Sequence, residues 1–423
     1  MNMTSEREVY VHIQLPGSHE PVPAALLKIE TLPSGTNIGR FRYGNRYLQR
    51  PNAIELDPFL LPLGEEVHAF TTFNGLPGAV RDAAPDAWGR RVIEHRLEKT
   101  QADLHEIDYL LNGPQDGAGY LSFSATRELK PSRRSFNRTH QLSDLVKAAE
   151  DIEEGKRVPE YLLDQLEPGT SMGGARPKAT LEDDNRLWIG KFPEKKDSFN
   201  IQRVEFSTLE LAKRSGIATP ATRLQAVGGQ DVLMIARFDR EYSPEGYFRF
   251  GLVSALTLLR GDEDYLNRER WSYPLLADEL RRWSAQPTQD AKELYRRMVF
   301  NAAITNNDDH PRNHALLRNE DGWCLTPVYD LIPSPAVSIE RRDLAMQIGR
   351  YGRTASIYNL VSEAQRFGLS DADARQMIKE IVAVVEKWRD VFEEGGVSLD
   401  DIEKIAPAFL PQCFFSEQSV EAV

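Results

Sequence analysis

Asp308 and Asn313 stand five residues apart in FNAAITNNDDHPRNHALL, and Asp330 follows in CLTPVYDLIPS. The D-x-x-x-x-N spacing lets one loop present a carboxylate that takes a proton and, a turn later, an amide oxygen that can bind Mg2+. Asp308, not the adjacent Asp309, keeps that spacing. Asp330, after an expected strand CLTPVY, can supply a second, charged metal ligand. By itself the motif is weak, because Asp and Asn collect in turns for local hydrogen-bonding reasons. What lies upstream is more informative: a glycine-rich run, SMGGARPKATL from Ser171 to Leu181, then Lys191 in RLWIGKFP, then a helix with Glu205 and Glu210, either of which could pair with that lysine. Phosphoryl transfer asks little covalent chemistry of a protein; it needs phosphates and Mg2+ held still, charge neutralised and the attacking hydroxyl aligned. A glycine-rich cover, a lysine, a base and two oxygen ligands occur here in that order. Each also has a plain structural reading: tandem glycine suits a hairpin, a lone strand lysine is a solvated edge charge, and His310 alone is a loop histidine.

These residues need elements to hold them. Glu8 to Leu15 alternates, with Val9, Val11, Ile13 and Leu15 on one face, as a half-buried strand does, and short β-type runs continue to about Gly78. Residues 86–100, DAWGRRVIEHRLEKT, read as an amphipathic helix and 103–111 as a second, ended by Asn112-Gly113-Pro114. Trp88, Arg90 and Arg91 read as packing and surface residues of the first. RELKPSRRSFNRTH, at 127–140, is polar, basic and poor in aliphatics, so it reads as an exposed linker and a domain boundary. From 142 to 240 the pattern is helix, glycine-rich loop, strand with lysine, a helix over 205–215 closed by Gly216, and the strand DVLMIARF. Beyond Arg240 the pattern is mainly helical. Ser370 caps a helix with Met377, Ile381, Val384, Val385, Trp388 and Phe392 along one stripe, stopping at Gly395-Gly396.

A chain of 423 residues is long for one core and implies two or three packed units. With 52 Lys and Arg against 64 Asp and Glu the formal charge is −12, which disfavours autonomous nucleic-acid binding; Arg133, Arg134 and Arg138 form only a short basic cluster. Cys324 and Cys413 have no disulfide or zinc spacing. No stretch approaches the roughly 20 apolar residues of a membrane span or signal sequence, so the expectation is a soluble cytoplasmic protein without a membrane partner.

The run Ser171 to Leu181 resembles the phosphate loop of HipA-family kinases, S-x-x-G-A-x-x-K-x-x-L. WIGKFP, ARFDR, D-x-H-x-x-N with Y-D, and APDAWGRR resemble further elements of that family, so the likeness covers nearly the whole chain. It implies an α+β, two-lobed protein-kinase-like fold: an N-terminal β-rich accessory subdomain over 1–140, a kinase N-lobe over 141–240 and a helical C-lobe over 241–423. It implies an ATP- and Mg2+-dependent serine/threonine kinase, the toxin of a toxin-antitoxin pair. Ser171, Gly173, Gly174, Ala175 and Lys178 would form the phosphate loop, with Lys191 on the phosphates and Ala236, Arg237 and Phe238 at the adenine hinge. Asp308 would be the base, His310 and Arg312 would position phosphate or the catalytic loop, and Asn313 and Asp330 would hold Mg2+. Ser171 would be an autophosphorylation site. The implied substrate is a translation component such as an aminoacyl-tRNA synthetase, and the implied partner a HipB-like helix-turn-helix antitoxin that makes the DNA contacts. G-x-G-x-x-G, H-R-D and D-F-G are absent, Pro177 removes an N–H from the loop, and Ala236 stands where a glutamate is expected. Two alternatives remain. A small-molecule phosphotransferase would want a histidine at Asn306 and a second acid at Ile332, and an idle corepressor would have no chemical reason to keep Lys191, Asp308, Asn313 and Asp330.

Overall fold

The computed structural model describes residues 5–114, 116–129, 137–138, 141–166, 174–335 and 342–416. By packing, the chain divides into two units: Met1–Glu194 with Met234–Thr257 and Leu317–Glu320, and Lys195–Leu233 with Leu258–Leu316 and Asp321–Val423. Both are discontinuous in sequence, because strand pairing gathers segments that composition alone leaves in separate linear blocks.

In the first unit, Ser5–Gln14 (β1), Pro21–Thr31 (β2), Asn37–Tyr43 (β3), His68–Phe70 (β4) and Leu121–Ser124 (β5) form an antiparallel sheet in the order β4-β3-β2-β1-β5. Val9, Val11 and Ile13 are fully buried, as alternation requires. His12 and Gln14, on the opposite face, are buried too, and the register shifts between Val11 and His12. The second sheet contains Asn137–Arg138 (β6), Lys178–Asp183 (β7) and Arg186–Lys191 (β8). β7 and β8 make a hairpin whose two-residue turn, Asp184–Asn185, has both φ angles positive, at 49° and 56°. Short polar side chains tolerate that conformation, and its twist matches the strands. The register sets Lys178 directly opposite Lys191, their side chains on one face. β6 lies inside the segment read as a linker. Asn137 and Arg138 pair in parallel with Leu181 and Glu182, a non-local bond that a polar composition does not reveal. The helix Ala87–Leu97 begins at its cap Asp86 and ends at Glu98 in the left-handed conformation.

The second unit is mainly helical. Ile201–Arg214, Tyr273–Trp283, Pro287–Ala303, Asp371–Val385 and Trp388–Glu394 are its longer helices. Ser370 caps the fourth with a full capping box. The expected single helix is two, interrupted at Glu386–Lys387, and its buried line is Ile378, Ile381, Val385, Trp388 and Phe392, with Met377 and Val384 only half-buried. The break precedes Trp388, whose ring lies flat on Phe409 at 4.0 Å, a long-range contact that periodicity cannot register. Strands after Arg240 are also more numerous than expected: Arg240–Ser243, Gly246–Arg249, Gly251–Ser254, Ala315–Asn319 and Gly322–Leu325. Four to five residues are too few for alternation to stand out. No helix among the described residues is long and apolar enough to cross a membrane, and both cysteines are free thiols.

Candidate active site

In the second unit the helix Pro287–Ala303 delivers the chain to Thr305, which turns back with φ of +50°. Its hydroxyl donates to the Ala408 carbonyl at 2.6 Å, and its carbonyl accepts Ser334 N–H at 3.1 Å, so tertiary bonds hold the strained residue. The loop beyond carries two acids with opposite surroundings. Asp308 is exposed, and its Oδ1 accepts the Tyr265 hydroxyl at 2.8 Å. Asp309 is buried at 1% exposure, where its Oδ2 accepts the Tyr273 hydroxyl and meets His314 Nε2 at 3.0 Å. Asn301 bonds Tyr273 and is bonded by Asn306, each at 3.1 Å, completing a buried polar network. A buried carboxylate with such partners is fixed in the fold. Asp308 is the one that an incoming hydroxyl can reach.

Asn313 is oriented by the same loop. Its N–H donates to the His310 carbonyl at 2.9 Å, and its Nδ2 donates to the Asp308 carbonyl at 3.2 Å. That leaves Oδ1, on a residue only 2% exposed, with no hydrogen-bond partner. A buried oxygen without a partner is costly in protein alone, and a hard cation is a suitable complement. No cluster of three or more His, Cys, Asp or Glu able to hold a metal occurs among the described residues. The Asn313 Oδ1 fits Mg2+, which takes one or two protein oxygens and completes its shell with phosphates and water.

Asp330 is reached differently from the expected strand CLTPVY. Regular pairing ends at Leu325, and Asp330 itself has φ of +62°. Thr326 N–H bonds Ala315 at 3.0 Å, Val328 N–H bonds Ala218 at 2.9 Å, and Tyr329 OH donates to the Arg312 carbonyl at 2.7 Å. The last bond ties the residue before Asp330 to the residue before Asn313. His310 is half-buried with Nδ1 unpartnered; burial, then the neighbouring Arg312 charge, hold its pKa below the usual histidine value. Arg312 faces Glu263 at 3.7 Å. Burial, then the bond to Asp308, push the Tyr265 phenol up.

In the first unit, Gly174 has φ of +120°, where a Cβ would come within 2.8 Å of Lys178 Nζ, so only glycine fits. Ser171 and Gly173 lie outside the described residues. Lys178 is buried, its Nζ 2.7 Å from Asp86 Oδ2, while Lys191 opposite is half-buried. Ala175 accepts a bond from Arg91. Ala236 is buried and Phe238 half-buried. Arg237, expected at the adenine hinge, has its side chain engaged within the first unit. Its N–H bonds Leu187 at 2.9 Å, and its guanidinium meets Asp239 at 3.0 Å and Asp116 at 3.2 Å. Arg240 adds bonds to the same two acids, at 2.7 and 3.1 Å, and Gly119 N–H bonds Asp239 at 2.9 Å. Despite burial, the two arginines hold the Asp239 carboxyl well below its usual range. R-F-D-R is therefore a buried clamp on residues 116–119, in which removing one charge costs about 3–5 kcal/mol.

Sequence reasoning missed Tyr265, Tyr273, His314 and Asn301, whose isolated positions carry no motif. It assigned Trp88 and Arg91 to packing and surface, although both bond the stretch that follows Gly174. The only signal was the likeness of APDAWGRR.

A family model described as the HipA-like C-terminal domain matches residues 170–388. Two Sinorhizobium fredii proteins that carry provisional kinase names are similar: Y4mE, 24% identical over 46% of this chain and 41% of its own length, and Y4dM, 28% identical over 52% and 54%. The chain thus spans about half the length of the curated relatives it matches. Among solved structures, the Shewanella oneidensis HipA of a complex with HipB and operator DNA superposes with a TM-score of 0.68, covering 96% of both chains at 18% identity, a likeness of fold.

Proposed function

Since the chain belongs to the HipA-like C-terminal domain family, we propose that it is an ATP- and Mg2+-dependent serine/threonine protein kinase acting as a toxin in a toxin-antitoxin pair. The observation that carries this reading is the single loop in which an exposed Asp308 stands beside an Asn313 whose buried Oδ1 has no partner. Asp308 accepts the proton of the attacking hydroxyl. Asn313 and Asp330 would hold Mg2+, which would supply positive charge to neutralise the ATP phosphates. Lys191 adds positive charge to the phosphates, the Ser171 to Lys178 loop covers them, and Ala236, Arg237 and Phe238 form the adenine hinge. His310 and Arg312 position the loop. In this reading 1–140 is an accessory subdomain, 141–240 the N-lobe and 241–423 the C-lobe of a two-lobed kinase.

Ser171 is the self-modified residue: a phosphate there brings close to two negative charges into a loop meant to cradle the equally negative nucleotide, so the loop is expelled and activity stops. The substrate is a cytoplasmic translation component of the aminoacyl-tRNA synthetase kind, and a HipB-like helix-turn-helix protein is the antitoxin that reads DNA. The two Sinorhizobium names and the partner in the Shewanella complex agree with this reading. Labelled ATP with host lysate, comparing wild type and Asp308→Ala, tests it: a protein band labelled only by wild type is expected, and equal labelling sinks the assignment. Self-labelling that persists in Ser171→Ala rules out Ser171 as the site.

A further inference from the structure

Lys178 sits where a phosphate-loop lysine would be assigned to the nucleotide, yet its ammonium is occupied within the fold. Its side chain is 6% exposed and lies 2.7 Å from Asp86 Oδ2, itself 1% exposed. The other oxygen of that carboxylate caps the helix Ala87–Leu97, accepting Gly89 N–H at 2.8 Å. One carboxylate therefore fixes both the start of the helix and the lysine at the end of the loop. Two more bonds run from the same helix to the same stretch: Trp88 Nε1–H donates to the Lys178 carbonyl at 3.0 Å, and Arg91 donates to the Ala175 carbonyl. Lys178 Nζ also donates to the Gly174 carbonyl at 3.3 Å. Beside them, Arg176 pairs with the buried Glu194 at 3.1 Å. Like charges directly opposite across a hairpin repel, and Lys178 opposes Lys191; Asp86 neutralises the Lys178 charge.

We infer that Lys178 is a strut rather than a phosphate ligand, and that Asp86 and Trp88 are positioning residues through which the accessory helix sets the phosphate loop, leaving Lys191 as the lysine that meets phosphate. The inference rests on the kinase reading of that loop. The two functions of Lys178 predict opposite signs. If it were a ligand held back by Asp86, Asp86→Asn would release it and leave nucleotide affinity unchanged or tighter. As a strut, the same change loosens the loop and weakens affinity.

The test titrates a fluorescent ATP analogue with Mg2+ into the full chain, wild type, Asp86→Asn and Trp88→Phe, and follows hydrogen exchange of a peptide covering Gly174–Asp183 without nucleotide. Expected are a Kd at least fivefold weaker and exchange at least fivefold faster in Asp86→Asn, with smaller changes of the same sign in Trp88→Phe. Unchanged or tighter binding in Asp86→Asn overturns the inference. Should that variant not fold, Trp88→Phe, which removes one N–H and no charge, decides by the same signs. A wild type that binds no nucleotide defeats the kinase reading, and exchange in the variants then still decides whether the helix holds the loop: wild-type rates in both overturn it.

Discussion

Replacing each of two adjacent acids by asparagine gives opposite outcomes. Asp308 is exposed and its side chain accepts the Tyr265 hydroxyl, a bond that an asparagine oxygen can keep, so Asp308→Asn costs the fold no more than about 0.5 kcal/mol. As the base of the proposed kinase, Asp308 accounts for about 10²- to 10⁴-fold of phosphoryl transfer, which the change removes. Asp309 is 1% exposed and receives bonds from Tyr273 and His314. Bonds to a charged group are worth about 1.5–3 kcal/mol each, and the amide of Asp309→Asn keeps one acceptor, so the net loss is about 2–4 kcal/mol. At roughly 2–4 °C per kcal/mol in a folded unit of about 150–250 residues, melting falls by about 4–16 °C. Labelled-ATP transfer at a permissive temperature and thermal melts separate the two. An Asp308→Asn protein that transfers phosphate at the wild-type rate, or an Asp309→Asn protein that melts with wild type, refutes the division between a reactive and a structural acid.

Asn313→Ala removes the unpartnered Oδ1, so the Mg2+ concentration giving half-maximal transfer rises at least about tenfold, or ~1.4 kcal/mol; a magnesium titration checks this. Tyr265→Phe frees Asp308 Oδ1 from a hydrogen bond that solvent exposure holds to about 0.5–1.5 kcal/mol, and steady-state assays should find kcat/KM for the acceptor raised about two- to tenfold. Burial pushes the Asp57 carboxyl from 3.8 to about 7, with Phe59 and Leu60 N–H bonds on Oδ1 and none on Oδ2. A carboxyl raised in the folded state contributes stability that is complete below its unfolded pKa and lost as pH rises through its folded one. Wild type therefore loses up to about 3 kcal/mol relative to Asp57→Asn between pH 5 and 8, read from melts at the two pH values.

Much of the local architecture was legible because it is written in neighbouring residues. Asp86 and Ser370 announce their helices by capping chemistry, and Lys191 lies in the strand its alternation predicts. The spacing that chose Asp308 over Asp309 agrees with the exposure of one and the burial of the other. What the sequence could not express are partners far along the chain. Lys178 reads as a phosphate-loop residue, and only the fold shows that Asp86, 92 residues away, lies on its ammonium. Arg237 reads as a hinge residue, and only the fold shows that Asp116, 121 residues away, takes its guanidinium. Spacing records which groups can share a turn or a helix face, because those distances are fixed by local backbone geometry. Which charge is neutralised, which oxygen is left without a partner and which acid is sealed from water depend on packing between remote segments, and only the folded chain decides them.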